Sequence, residues 1–276
     1  MDEPENDRES VLTASRQAYA HRAHYGDLIA QHAPEDQATK AKELDFLEHA
    51  FKTHAARPVE QILDVACGGG RHIVGLAKRG YECTGRDFTP ERLEVAKTHA
   101  AREGVTVRLR QGDATKLRYN GRFDAVIALD ILFLLPSDED AQTCIRRARQ
   151  ALRNGGVFVC NIDNPFSPEN WHGFVLRDEP RVDESNLPGL RIRTTYRRGD
   201  WDPVRGVAWI EETMEVEGDE GRQVFQDRER VRLFTYWDVL AQLDAAGFRS
   251  IACYPDWRRT PEKRPVAAQL VFVSQR

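Results

Sequence analysis

The stretch Gln61-Ile62-Leu63-Asp64-Val65-Ala66-Cys67-Gly68-Gly69-Gly70-Arg71-His72 decides the fold. A short apolar run stops at small residues and three glycines, and the amphipathic Arg71–Gly80 (RHIVGLAKRG) follows at once. That order reads as strand, tight loop and helix. In such a unit the first amides of the helix and its partial positive charge face the loop, and small residues let a ligand approach the backbone.

Outward from this unit the same alternation continues through YECTGRD (81–87), a helix, VTVRLRQGD (105–113), FDAVIALD (123–130), a second helix and GGVFVCNID (155–163). Alternating strands and helices predict an α/β fold with a doubly wound, mainly parallel sheet. Thr89 and Pro90 open one helix, which Gly104 closes, and Ser137 opens the next. In that second helix Ala141, Cys144, Ile145, Ala148 and Leu152 share one face, and Gly155-Gly156 is expected to turn the chain into the following strand.

Residues 1–60 are helical in pattern and predict a two-helix N-terminal cap. The core is expected over 61–163. Residues 164–189 show no period, whereas 190–198, 207–217 and 223–233 alternate as strands, with a hairpin turn at Asp219-Glu220-Gly221. The expectation is an antiparallel β insertion over 164–234, after the fifth strand, with 235–276 returning to the core sheet as a helix (Trp237–Ala246) and two strands near Ile251 and Leu270.

At 276 residues, one large domain with an insertion agrees with roughly one domain per 150 residues. Apolar residues at 41% and charged residues at 30% are ordinary for a globular chain. The longest apolar stretch, Val126–Leu135, is broken by Asp130 and is too short to span a bilayer. No membrane partner is expected, and the acidic N-terminus without an apolar segment suggests the cytoplasm. A net charge of −4 gives no field for nucleic acid and favours a small acceptor or a neutral partner. The five cysteines are odd in number, lack a CxxC spacing and read as reduced thiols.

A dinucleotide fingerprint needs glycine at 66, 68 and 71, where the chain has Ala66, Gly68 and Arg71, and the frame from Gly68 fails at Ile73. No Gly-Lys pair occurs, so a Walker loop is excluded. Asp87, at the end of the second strand, is placed to accept hydrogen bonds from both hydroxyls of a ribose. Asp113-Ala114, after the third strand, would set a carboxylate and a backbone amide beside an adenine ring.

Taken in order, ILDVACGGGRH, GRDFTP, QGDA and FDAVIALD resemble the class I S-adenosylmethionine-dependent methyltransferases over about residues 61–162. The tail resembles the small-molecule branch with amino-acid and amino-sugar N-methyltransferases. The resemblance implies a Rossmann-like core. It assigns Asp64, Ala66, Gly68 and Gly70 to the methionine and ribose portion, Asp87 to the ribose hydroxyls and Asp113 with Ala114 to the adenine, with Phe88 and Leu129 as further cofactor-binding residues. The family usually has glycine where Ala66 stands. Tyr19 and Tyr25 are candidates for an aromatic lid over the cofactor, with core packing as the alternative.

Methyl transfer from a sulfonium is an in-line displacement that discharges sulfur, so alignment and exclusion of water matter more than strong acids or bases. An amine acceptor needs only to arrive unprotonated. A hydroxyl needs a base, for which His172, after the fifth strand, is first choice and Tyr196 or Asp163 second. The other seven histidines precede residue 100, and the pairs His21/His24 and His49/His54 lack a third ligand, so they read as solvated faces and no metal is expected. Arg228, Arg230 and Arg232 share one strand face, either for an anionic substrate group or to pair with Glu211 and Glu215. Asp163-Asn164-Pro165-Phe166 lacks the second proline of the motif that grips a flipped adenine, which argues against a nucleic-acid substrate. The expected activity is methylation of a small molecule, at an amine. The alternatives are O-methylation, a different use of the same cofactor such as cyclisation, and a silent cofactor-binding protein.

Overall fold

In the computed structural model residues 8–170, 179–219, 221–262 and 266–276 are described. Two helices, α1 (Arg8–His32) and α2 (Pro34–His54), precede β1 (Gln61–Asp64). The core then runs α3 (Arg71–Lys78), β2 (Glu82–Asp87), α4 (Pro90–Arg102), β3 (Arg108–Gln111), β4 (Phe123–Ala128), α5 (Asp138–Ala151) and β5 (Leu152–Asp163). Strands β6 (Arg181–Leu187), β7 (Leu190–Asp202), β8 (Val207–Gly218) and β9 (Gly221–Arg232) follow, and α6 (Tyr236–Ala245), β10 (Arg249–Pro255) and β11 (Gln269–Gln275) end the chain.

The seven-stranded sheet has the order β10-β11-β5-β4-β1-β2-β3, and β11 alone runs against its neighbours. Because β1 pairs with β2 on one side and β4 on the other, the loops leaving β1 and β4 diverge. A crevice opens there, at the carboxyl ends of the strands. Neighbouring strand residues face opposite sides: Ile62 packs with α2 and α3 residues such as Phe46 and Ile73, and Leu63 packs with Ile145 of α5 and Leu243 of α6. The doubly wound, Rossmann-like core expected from the sequence is therefore present, and a four-stranded antiparallel sheet, β6-β7-β8-β9, follows β5.

Local differences have physical reasons. Strand β6 was not legible because it is the edge of the antiparallel sheet and lacks a buried face, so its residues never needed to alternate. The turn expected at Gly155-Gly156 lies inside β5, which starts at Leu152 with a register shift against β4 and takes Gly155 through φ +76°. Thr89 precedes α4 but its side chain caps nothing; the carboxylate of Asp87 accepts the Thr89 N–H instead. Ser137 caps α5 through the Asp140 N–H as expected, and a reciprocal Thr235–Asp238 box starts α6.

The arginine face of β9 is occupied. Arg228 lies 4.7 Å over the Trp209 ring, Arg230 donates to the Pro136 carbonyl and Arg232 pairs with Asp138. Arg230 and Arg232 thus fasten the insertion to the loop before α5. All five cysteines are free and buried. No helix among the described residues is long and apolar enough to cross a membrane.

Candidate functional site

A cavity of about 520 Å³ opens at the carboxyl ends of β1 to β4, with α1 as its outer wall. The loop after β1 supplies Ala66, Cys67 and Gly68 to its floor. Gly68 has φ +50°, and a Cβ there would stand 2.5 Å from Nη2 of Arg92. Asp87 holds this loop in place: Oδ2 accepts the Gly68 N–H (2.8 Å) while Oδ1 accepts the Thr89 N–H (2.9 Å). The carboxylate has lone pairs left over for a diol, since each oxygen can accept two bonds.

Of the sequence candidates, Ala66, Gly68, Asp87, Phe88, Asp113, Ala114 and Leu129 line this one cavity. Asp64 and Gly70 support it from behind. Asp64 is buried, its Oδ1 accepts the Ala66 N–H (3.2 Å), and burial pushes its carboxyl up to about 7. Gly70 starts α3 in the left-handed region (φ +86°), where a Cβ would crowd Val74 and Ala96. Tyr25 is elsewhere: it packs on Phe225 and donates to Gln223 (3.2 Å) of the antiparallel sheet, and of the two tyrosines Tyr19 lines the cavity. Helical geometry separates them, because residues six apart on a helix do not share a face.

Of the three residues expected to move a proton, Tyr196 and Asp163 do not line the cavity. Tyr196 sits on β7 opposite Glu212, outside the cavity, with its phenol raised to about 12 by burial. Asp163 ends β5, accepts a bond from Gln269 (3.2 Å) and does not line the cavity. His172 lies outside the described residues.

Several wall residues were missed. At the end of the cavity beside β3, Arg8 donates to Asp113 Oδ2 (3.2 Å) and Asp140 Oδ1 (2.8 Å), while Asp113 Oδ1 accepts from the backbone (2.8 Å) and hydroxyl (2.7 Å) of Thr115. Burial raises the Asp113 carboxyl, but the Thr115 and Arg8 bonds outweigh it and hold the group below its ordinary value. His72 is 8% exposed, lines the cavity and places Nε2 2.9 Å from Glu43 Oε2, which also accepts from Arg71 (3.0 Å). Burial and the Glu229 carboxylate raise the Tyr19 phenol, and the Arg22 and Arg92 guanidinium carbons stand 4.4 and 5.0 Å from its ring centre. Asp130, in the sequence only a break in an apolar run, lies in the lining beside Ile131, Leu134 and Leu135. Among the described residues no cluster is arranged to hold a metal ion.

Residues 62–156 match the family model described as a methyltransferase domain. The ubiquinone biosynthesis O-methyltransferase of Cereibacter sphaeroides is 33% identical over 140 residues, 43% of this chain and 56% of that protein. The chain thus spans about half the length of the curated relatives it matches. A solved S-adenosylmethionine-dependent methyltransferase from Clostridium acetobutylicum superposes with a TM-score of 0.73 at 17% identity, covering 94% of this chain and 98% of the other. A sugar N-methyltransferase from Streptoalloteichus gives 0.67 at 23% identity, covering 91% and 92%. The glycine loop, Asp87 and Asp113 lie inside the matched residues, and over that stretch the chain carries a methyltransferase domain.

Proposed function

We propose that this chain transfers the methyl group of S-adenosylmethionine to the nitrogen of a small-molecule amine. The observation that carries the reading is the cavity itself, which sets Gly68, Asp87, Phe88, Asp113 and Ala114 along one wall and closes them under α1. These residues fit the cofactor. Asp87 offers acceptors to the ribose hydroxyls, Phe88 and Ala114 flank the place for the adenine, and the small residues Ala66 and Gly68 admit the methionine portion close to the backbone. When bound, the cofactor supplies an electrophilic methyl group on a sulfonium.

The protein's part is to align and to exclude water. Leu12, Leu129, Ile131, Leu134 and Leu135 make much of the wall apolar, and Tyr19 closes it from α1. Burial that raises the Tyr19 phenol keeps it protonated, as a hydrogen-bond donor and not a base. A nitrogen acceptor, which arrives with its own lone pair, agrees with a wall of this kind. So does the sugar N-methyltransferase among the solved neighbours.

The ubiquinone biosynthesis O-methyltransferases among the curated relatives favour the second reading. There His172 would serve as the base, and His172→Gln would lower turnover of a phenol by about 10²-fold or more at unchanged cofactor affinity. Calorimetry with S-adenosylmethionine, followed by a product screen over amino sugars, amino acids and phenols, separates the cases. Formation of S-adenosylhomocysteine with amines supports the proposal, and formation with phenols alone replaces it. Methylthioadenosine as product, or binding without turnover, would show a different use of the same cavity.

A further inference from the structure

Arg92 stands in the first turn of α4 and lines the cavity. Its guanidinium occupies the space that a side chain at Gly68 would fill, since a Cβ there would meet Nη2 at 2.5 Å and Nε at 2.9 Å. The guanidinium carbon lies 5.0 Å from the centre of the Tyr19 ring on α1. The head is therefore held between the glycine loop and the outer wall of the cavity.

The other cations of the lining have acceptors. Arg8 bonds Asp113 and Asp140, Arg71 bonds Glu43, Lys116 lies 3.7 Å from Asp113, and Arg16 reaches the Phe88 carbonyl (3.5 Å). The lining aspartates are engaged elsewhere too: Asp87 holds two backbone amides, Asp113 holds Thr115 and Arg8, and Asp130 accepts from Asn161 Nδ2 (2.7 Å). Among the described residues no carboxylate forms an ion pair with Arg92, and its Nε is buried without an acceptor. Glu229, whose carboxyl the Arg92 charge draws down against the rise that burial imposes, already bonds Arg22 (3.2 Å). A second donor of the same wall is in the same condition. Ser15, 3% exposed and one helical turn before Tyr19, lines the cavity with its Oγ buried and unpartnered. A buried polar group without a partner is costly, and a cation is more so. Two such donors in one wall, one of them charged, match an anion with several lone pairs.

Resting on the methyl-transfer reading above, we propose that Arg92, with Ser15 beside it, seats the carboxylate of the cofactor's methionine portion. That carboxylate is the one anionic group of S-adenosylmethionine at neutral pH; the sulfonium and the ammonium are cations, which a guanidinium repels. The methionine portion runs past Gly68 in that reading, and the guanidinium lies against Gly68. A planar guanidinium offers parallel N–H bonds to both oxygens of a carboxylate, and the Ser15 hydroxyl adds a third donor. The Tyr19 face supports the cation, so α1 contributes to the seat through both Ser15 and Tyr19. The glycine at position 68 thus has a second purpose besides its left-handed backbone, which is to leave room for the arginine head.

The test reads binding, not turnover. S-adenosylhomocysteine and its decarboxylated form, S-adenosyl-3-thiopropylamine, share the adenosine, the thioether and the amine and differ in the carboxylate alone. Calorimetry compares the two ligands on wild type, Arg92→Met, Arg92→Gln, Arg92→Lys and Ser15→Ala. Wild type is expected to prefer S-adenosylhomocysteine. That preference should fall about tenfold or more in Arg92→Met and Arg92→Gln, as for loss of a charge-assisted pair, while affinity for the decarboxylated ligand holds or rises. It should fall by less in Arg92→Lys, which keeps the charge but not the fork, and in Ser15→Ala. Equal weakening of both ligands in Arg92→Met and Arg92→Gln would make Arg92 a support of the glycine loop and overturn the seat. An unchanged preference in those variants, with S-adenosylhomocysteine still bound, overturns it as well and leaves the methyl-transfer reading standing. A wild-type protein that binds neither ligand overturns that reading, and the proposal with it.

Discussion

Arg8 and Asp113 stand 105 positions apart in the chain and 3.2 Å apart in space, joining the first turn of α1 to the loop after β3. The same guanidinium reaches Asp140 in α5 and the Thr115 hydroxyl (3.3 Å). One side chain from the N-terminal helix therefore secures the end of the cavity beside β3.

Arg8→Ala is expected to loosen that end. Arg8 is partly exposed, so its ion pairs are screened and their loss leaves the global melting temperature nearly unchanged. Cofactor affinity should fall by up to about fivefold, on the scale of a partly exposed charge pair. Hydrogen exchange should quicken in the first turns of α1. Unchanged exchange there would show that α1 is held by its packing on α4 and β9 instead.

Replacing Asp87 should affect both fold and ligand. Asp87→Ala leaves the buried N–H groups of Gly68 and Thr89 without acceptors, which costs about 1–3 kcal/mol each before any ligand binds. Asp87→Asn keeps one acceptor oxygen, so one of the two backbone N–H groups stays bonded while the amide NH2 faces the other. Its cofactor affinity should fall by about 1.5–3 kcal/mol, with a smaller loss of unfolding free energy than Asp87→Ala. Equal affinity of wild type and Asp87→Asn by calorimetry would falsify the ribose assignment.

Gly68 is a matter of backbone as well as space. With φ +50°, Gly68→Ala meets left-handed strain of about 1–2 kcal/mol and forces the Arg92 guanidinium aside. Because that guanidinium ends a flexible side chain, the ligand-free protein should remain folded at a modestly lower melting temperature. Cofactor binding should suffer more than stability does. Parallel thermal scans with and without S-adenosylmethionine measure the two effects separately.

Stability should depend on pH through Glu212. Burial raises its carboxyl to about 7, Arg22 opposes the rise, and Glu229 and Asp227 add to it. A carboxyl raised on folding favours the folded state at low pH. The folded state loses that advantage as pH climbs from the unfolded value, about 4.3, through the folded one. Glu212→Gln should therefore be more stable than wild type by as much as about 3 kcal/mol at pH 8.5 and indistinguishable near pH 4.5. Urea denaturation at the two pH values checks the sign, and a variant less stable at pH 8.5 would show that the Arg22 pair outweighs desolvation.

The core was legible because its signals are local. In β1 the residues Ile62 and Leu63 meet both faces of the sheet, and the glycines after them have one conformational reason to be there. Asp87 and Asp113 could be read because each ends a strand at a fixed distance from that loop. Arg8, Glu43 and Asn161 could not. Each acts through a partner in a distant segment, Asp113, His72 and Asp130 respectively, and nothing in the neighbourhood of an isolated arginine, glutamate or asparagine announces such a partner. Tyr19 and Tyr25 failed differently: both were visible, and only the rotation of α1 against the cavity separates the one that lines it from the one that packs on Phe225.

Helix α1 belongs to two walls at once. Arg8 and Tyr19 face the cavity, while His21 bonds Asp227 (2.9 Å) and Arg22 pairs with Glu229 (3.2 Å) on the antiparallel sheet. An element held on both sides passes load between them: whatever a ligand in the cavity does to the poise of α1 is felt at the antiparallel sheet, and strain placed on the sheet returns the same free energy to the cavity.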